Sequence, residues 1–237
     1  MSKSFLLLCL LASALRSVSQ PSNQPNLNVD KHLSLKQQIN IAREARDYEA
    51  MAGLLGEWVM QHPSDTANWF QYAAALKNER RYEEAEQAFK TVVQLDPGYT
   101  QAYVYLFLLM HQLDRQEEAN SYLASAERTG TLDKHQYMGM GFTLYSLNKH
   151  KEGVPFFEKV VEEDPSSGNL YNLACGYARS GDPEKAVSAL ERAIQAGFNS
   201  REQMESDPDL NALRSNERFV SLINKLPAKA TPQEKNE

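Results

Sequence analysis

Trp69-Phe-Gln-Tyr72-Ala73-Ala-Ala-Leu76-Lys-Asn-Glu-Arg-Arg-Tyr-Glu-Glu-Ala85-Glu-Gln-Ala-Phe89-Lys-Thr-Val92-Val-Gln-Leu-Asp-Pro97 is the stretch that decides the fold. Trp69, Tyr72, Ala73 and Leu76 are spaced by 3, 1 and 3, and Ala85, Phe89 and Val92 by 4 and 3. With about 3.6 residues per helical turn, each set lies on one face of a helix. The polar stretch between the sets is short, so the two helices form a hairpin. Pro97 stops the second helix, and Asp96-Pro97-Gly98 supplies turn chemistry.

The same pattern recurs at a fixed step. Moving forward by 34 gives Tyr103, Leu106, Phe107, Met110, Ala119, Leu123 and Ala126, and a second step of 34 gives Tyr137, Met140, Gly141, Leu144, Gly153, Phe157 and Val160. A step of 33 then gives Leu170, Leu173, Ala174, Tyr177, Ala186, Leu190 and Ala193. Moving back by 34 gives Leu35, Gln38, Ile39, Ala42, Met51, Leu55 and Trp58, the weakest unit because Gln38 is polar in an apolar column. A small residue recurs at Ala85, Ala119, Gly153 and Ala186, where the second helix must approach the first. A second small column holds Ala73, Gly141 and Ala174 but is broken by Phe107. Fixed self-similarity of this length is the mark of a repeat architecture.

These columns resemble the tetratricopeptide repeat family, over roughly residues 32–199. The resemblance implies an all-α fold: a right-handed α-α superhelix of five helix-turn-helix repeats, 32–65, 66–99, 100–133, 134–166 and 167–199. Helix pairs are expected at 34–45 with 48–60, 66–79 with 82–94, 100–113 with 116–128, 134–147 with 150–162, and 168–180 with 184–196. A stack of repeats needs a terminal element over its last apolar face. Residues 200–226 fit that cap: Asp207-Pro208-Asp209-Leu210 reads as a helix start, followed by the apolar stripe Leu213, Phe219, Leu222, Ile223 and Leu226.

The first nineteen residues read as a secretory signal peptide. Lys3 gives a positive start, Phe5 to Leu15 is uncharged and apolar, and Ser17-Val18-Ser19 offers small residues before Gln20. The apolar run of 11 is short of the about 20 residues that span a bilayer, so no stable membrane span is expected once the signal is removed. Residues 20–31 and 227–237 lack apolar periodicity and read as a disordered linker and tail. This organisation makes the protein secreted or periplasmic. Removing Lys3 and Arg16 leaves 23 basic residues against 31 acidic ones, a mature charge near −8. That balance disfavours a grip on nucleic acid, which needs a basic face. Loss of Cys9 with the signal leaves Cys175 alone, so packing rather than a disulfide must hold the fold.

Catalytic and metal-binding patterns are absent from the sequence. The histidines His32, His62, His111, His135 and His150 form no His-Glu-x-x-His run, and there is no Cys-x-x-Cys. Cys175 sits between Ala174 and Gly176 in an apolar helix, with Arg179 its only evident activating neighbour. Glu83-Glu84, Glu117-Glu118 and Glu162-Glu163 fall on the solvent side of second helices. The expectation is a non-enzymatic protein with no cofactor and no metal.

In the family resembled, the first helix of each pair lines a concave inner surface. Followed by the repeat step, one inner column reads Lys36, Phe70, Val104, Met138, Tyr171; a second Asn40, Ala74, Leu108, Phe142, Cys175; a third Arg43, Lys77, His111, Tyr145, Ala178. The candidate partner-binding residues are Lys36, Asn40, Phe70, Lys77, Val104, Leu108, His111, Met138, Phe142, Tyr145 and Tyr171. Their apolar middle favours a peptide or helix laid in a groove, and Phe142→Glu is expected to abolish partner capture without unfolding the chain. The competing reading is packing between helices. Some family members clamp acidic C-termini with basic and amide groups; Lys36 and Asn40 match the first two places, but Gln71, Gln101 and Tyr105 depart from the rest. The function expected is a protein–protein interaction scaffold. A carrier for a small apolar ligand, or a self-associating envelope module, is the alternative.

Overall fold

The structure is a computed structural model and describes residues 33–227. The expected signal peptide, the linker 20–31 and the tail beyond residue 227 lie outside the described residues. Within them the chain is a succession of helix pairs: α1 (Leu35–Ala45) with α2 (Tyr48–Gln61), α3 (Thr66–Asn78) with α4 (Tyr82–Leu95), α5 (Thr100–Gln112) with α6 (Gln116–Arg128), α7 (Lys134–Ser146) with α8 (His150–Glu163), and α9 (Ser167–Ser180) with α10 (Pro183–Gln195). Then come α11 (Arg201–Ser206), a 3-10 helix Pro208–Leu213, and α12 (Glu217–Lys225). The ten paired helices start and stop within one residue of the limits read from the repeat step.

The turn inside each pair repeats as faithfully as the helices. Arg46, Arg80, Asp114 and Asn148 all adopt left-handed backbone, with φ of 54, 60, 56 and 60°, and are spaced by 34. The fifth member, one step of 33 later, is Gly181 at φ 87°. A left-handed residue at this point closes the helix end with backbone hydrogen bonds. Asp47 N–H donates to the Ala42 carbonyl, Arg81 to Leu76, Arg115 to Met110, Lys149 to Leu144 and Asp182 to Tyr177. Left-handed backbone strains a Cβ, so glycine is the unstrained choice and Asp and Asn tolerate it best among the others. Asp47 and Asp182 then cap α2 and α10 by accepting from the backbone of Ala50 and Lys185.

The described residues fall into two compact units that divide between Leu132 and Asp133. The N-terminal unit holds three helix pairs. Its core runs through Ile39, Leu55, Leu76, Phe89, Leu106, Phe107 and Met110, all at most 3% exposed. Ala73, Ala85 and Ala119 are fully buried, as the small-residue columns require. One charged group is buried here: Glu86 accepts from Arg115 Nη1 at 2.5 Å and from Lys90 Nζ at 2.6 Å. Burial pushes the Glu86 carboxyl up, but the two cationic donors outweigh it and hold the group below the usual carboxylate value.

The C-terminal unit holds two helix pairs and the cap in one continuous core that includes Phe157, Leu173, Leu190, Leu210, Leu213 and Phe219. Gly141 faces Phe157 so closely that a Cβ there would stand 2.9 Å from the ring, and a Cβ on Gly153 would stand 3.2 Å from the Gly141 carbonyl oxygen. The two glycines let α7 and α8 meet at their backbones. Arg214 ties the cap together by donating to the carbonyls of Met204 and Asp207. No described helix is long and apolar enough to cross a membrane.

Candidate functional site

The candidate residues sit on the first helices, but the two units treat that face differently. In the N-terminal unit Lys36 and Asn40 are exposed on α1, and Phe70, Lys77 and Leu108 are half-buried on α3 and α5. Phe70 belongs to an aromatic cluster: its ring centroid lies 5.2 Å from both Tyr99 and Tyr105 and 5.6 Å from Phe89. Lys77 places its ammonium 5.6 Å from the centre of the Tyr105 ring, a cation–π contact. Burial lowers the Lys77 pKa and raises that of the Tyr105 hydroxyl. Arg43, exposed at the end of α1, donates to Asn40 and to the Gln71 side chain. Tyr105, which touches both Phe70 and Lys77, was not selected as a binding residue by the repeat columns. Its only sequence sign was its place where a clamp residue would stand.

Two expectations for this unit are corrected. Val104 is 7% exposed and His111 2%, so neither is available to a partner here. The cause is α5 itself. Its run Tyr103-Val-Tyr-Leu-Phe-Leu-Leu-Met110 is apolar nearly all round, and such a helix is enclosed on most sides. His111 packs edge-on against Phe107, with ring centroids 4.6 Å apart.

In the C-terminal unit the chain's own cap covers the first-helix face of α9. Tyr171 is 2% exposed, a correction to its place among the groove residues. Its ring stacks on Phe198 at 4.5 Å, and its hydroxyl donates to Asp207 Oδ2 at 2.8 Å. The Cys175 thiol points to the same oxygen, 3.9 Å away. Asp207 also receives the Asp209 backbone N–H, which starts the 3-10 helix. Asp209 lies 3.9 Å from Arg179 Nε and beside the Tyr145 hydroxyl. Burial, with the neighbouring Asp207, raises the Asp209 pKa against the opposing pull of Tyr145 and Arg179. Met138, Phe142 and Tyr145 are half-buried and pack against the unit's core, Phe142 edge-on to Phe157 at 5.1 Å. A charge at Phe142 would therefore meet the core, and the expectation that Phe142→Glu spares the fold is withdrawn.

The Cys175 sulfur and the carboxylate oxygens of Asp207 and Asp209 lie within 4.8 Å of one another, the one metal-like grouping among the described residues. Its chemistry does not fit a cation as it stands. Burial, then the charges of Asp207 and Asp209, push the Cys175 thiol well above its ordinary value, so it stays protonated and donates rather than ligates. A thiol held in that direction is a weak nucleophile. The grouping is a polar joint that fastens the cap to α9.

Tetratricopeptide repeat models match this chain at residues 67–99, 137–167 and 168–196, in register with the helix pairs described above. The chain carries tetratricopeptide repeats. The three matches fall on the second, fourth and fifth repeats of this tetratricopeptide repeat chain; the other two carry Gln38 and Phe107 in the pattern's apolar and small columns. A chloroplastic protein of Arabidopsis thaliana is 30% identical over 113 residues, which is 46% of this chain and 33% of that protein. The chain thus spans about one third of the length of the curated relative it matches. Among solved structures, MamA (residues 41 to the end) from Desulfovibrio magneticus RS-1 superimposes with a TM-score of 0.54 at 18% identity, covering 68% of this chain and 92% of that one. The Cut9–Hcn1 hetero-tetramer of APC/C gives 0.51 at 16% identity, covering 93% of this chain and 46% of that one. Identities this low speak to the α-solenoid fold alone.

Proposed function

We propose that this protein is an exported, non-catalytic scaffold that binds a protein or peptide partner on the first-helix face of its repeats. The observation that carries this reading is a set of apolar side chains on the first helices of the N-terminal unit that the core leaves part-open. On the first helices Phe70, Tyr105 and Leu108 stay half-open beside the exposed Lys36, Asn40 and Arg43. Aromatic and aliphatic groups left part-open among polar ones are the usual composition of a binding face. The buried Cys175, whose thiol burial pushes up, is in keeping with the non-catalytic part.

The test replaces Leu108, which is half-open, rather than Phe142. Affinity capture from the native compartment is run with the parent chain and with Leu108→Glu. A partner that co-purifies with the parent and is lost with the variant, at unchanged far-UV circular dichroism, is the expected result. Equal capture by both would remove this face from the function. Export has its own check. N-terminal sequencing of the native protein is expected to begin near Gln20, and a start at the initiating methionine would remove that part of the reading.

A further inference from the structure

The C-terminal unit shows what the first-helix columns of this chain can hold. Asp207-Pro208-Asp209-Leu210 lies on them as a short acidic and apolar segment. Asp207 is taken by Tyr171 of the first column and Cys175 of the second, and Asp209 faces Tyr145 of the third, with Arg179 close by. Leu210 and Leu213, which follow the two acids in the chain, are fully buried in the unit's core. One docked segment thus combines paired acids with leucines, and its receivers belong to columns that recur through the chain.

The N-terminal unit has the same columns and no such segment on them among the described residues. Its third column holds Arg43 and Lys77, at the register position that Tyr145 holds in the C-terminal unit. Lys77 is half-buried, and no described carboxylate pairs with it; its contact is the Tyr105 ring. Burial acts on it with no acidic neighbour in opposition. Removing an ammonium from water is costly unless a counter-charge replaces the lost hydration, and one aromatic face offsets that only in part. A carboxylate set against Lys77 would complete the site. Phe70, Tyr99 and Tyr105 form an aromatic floor beside it for an apolar neighbour.

We propose that the first-helix face of the N-terminal unit binds an acidic and apolar peptide segment of a partner protein, with Lys77 taking an internal Asp or Glu side chain and the Phe70–Tyr105 cluster taking an adjacent leucine or aromatic. This rests on the reading of the protein as a peptide-binding scaffold and gives its partner a chemistry. The test pans a displayed library of short random peptides on the full chain, on Lys77→Met and on Lys77→Arg. Met keeps the apolar stem of the lysine and Arg keeps its charge. The expected result is enrichment of Asp or Glu beside Leu or an aromatic on the parent and on Lys77→Arg. The best peptide should bind Lys77→Met about tenfold more weakly, the size of one lost charge-assisted hydrogen bond. It should also bind more weakly at higher salt. Enriched peptides without acids, or acids whose enrichment survives Lys77→Met, would overturn the acidic assignment while leaving peptide binding in place. If no peptide is enriched on any of the three chains, both readings fall.

Discussion

The two units are built from the same repeat and close their first-helix faces in opposite ways. In the C-terminal unit the face is finished by the chain itself: Asp207 and Asp209 meet Tyr171, Cys175, Tyr145 and Arg179, and the leucines that follow them are buried in the core. In the N-terminal unit the equivalent positions include Lys36, Phe70, Arg43 and Lys77, and no described acid pairs with Lys77. The difference teaches that the inner columns are not intrinsically groove or core. Their state is set by what lies on them, and the last repeats of a stack carry their own cover.

The comparison breaks most severely at the cap. Leu213 is fully buried in the core of the C-terminal unit. Leu213→Ala is expected to destabilise by about 2–5 kcal/mol, the cost of a lost side chain plus the cavity it leaves. Urea unfolding followed by circular dichroism measures it. A loss below about 0.5 kcal/mol, the range of an ordinary surface change, would mean that the cap is an ornament rather than part of the core.

A middle-sized effect separates the units by pH. Glu86 of the N-terminal unit has its native pKa depressed by Arg115 and Lys90 in spite of burial, whereas burial raises that of Asp209 in the C-terminal unit. A depressed carboxylate contributes stability that is present above its unfolded value, here 4.5, and lost as pH falls through the native value. A raised one works the other way: its contribution is fullest below the unfolded value of 3.8 and is lost as pH rises through the native value. Glu86→Gln should therefore cost about 1–2 kcal/mol at neutral pH, discounted from a fully buried pair because Arg115 and Lys90 are about one-third exposed. The gap from the parent should close as the buffer is taken below pH 4.5. A gap of constant size in unfolding titrations across that range would show that packing, not charge, ties Glu86 to Arg115.

The repeat step made the fold legible to within a residue because every unit restates the same packing problem. The 34-residue register even holds for the left-handed turn at Arg46, Arg80, Asp114 and Asn148. The state of the candidate face was not legible in the same way. Register tells which residues share a column, but not where a non-repeating segment such as Asp207–Leu213 comes to rest. Tyr171 thus read as open when the cap covers it. Nor does a column say how tightly neighbouring helices enclose it, which is why Val104 and His111, on the nearly all-apolar α5, are buried while Leu108 is half-open. Tyr105 went unselected because an aromatic at that place departs from the clamp pattern, and its contact with Lys77 arises only when α3 and α5 pack.

The smallest expected effect bears hardest on the open face. Lys77 carries a half-buried charge that burial disfavours, and no described carboxylate pairs with it. If Lys77 served the fold, removing its charge would weaken the N-terminal unit. If it serves a partner, the folded chain alone bears the cost of its desolvation, and Lys77→Met should leave stability within about 0.5 kcal/mol of the parent or raise it slightly. Urea unfolding at neutral pH decides between the two. A loss above about 1 kcal/mol would make the cation–π contact with Tyr105 structural, and the open face would then resemble the closed one, with its half-buried cation already committed.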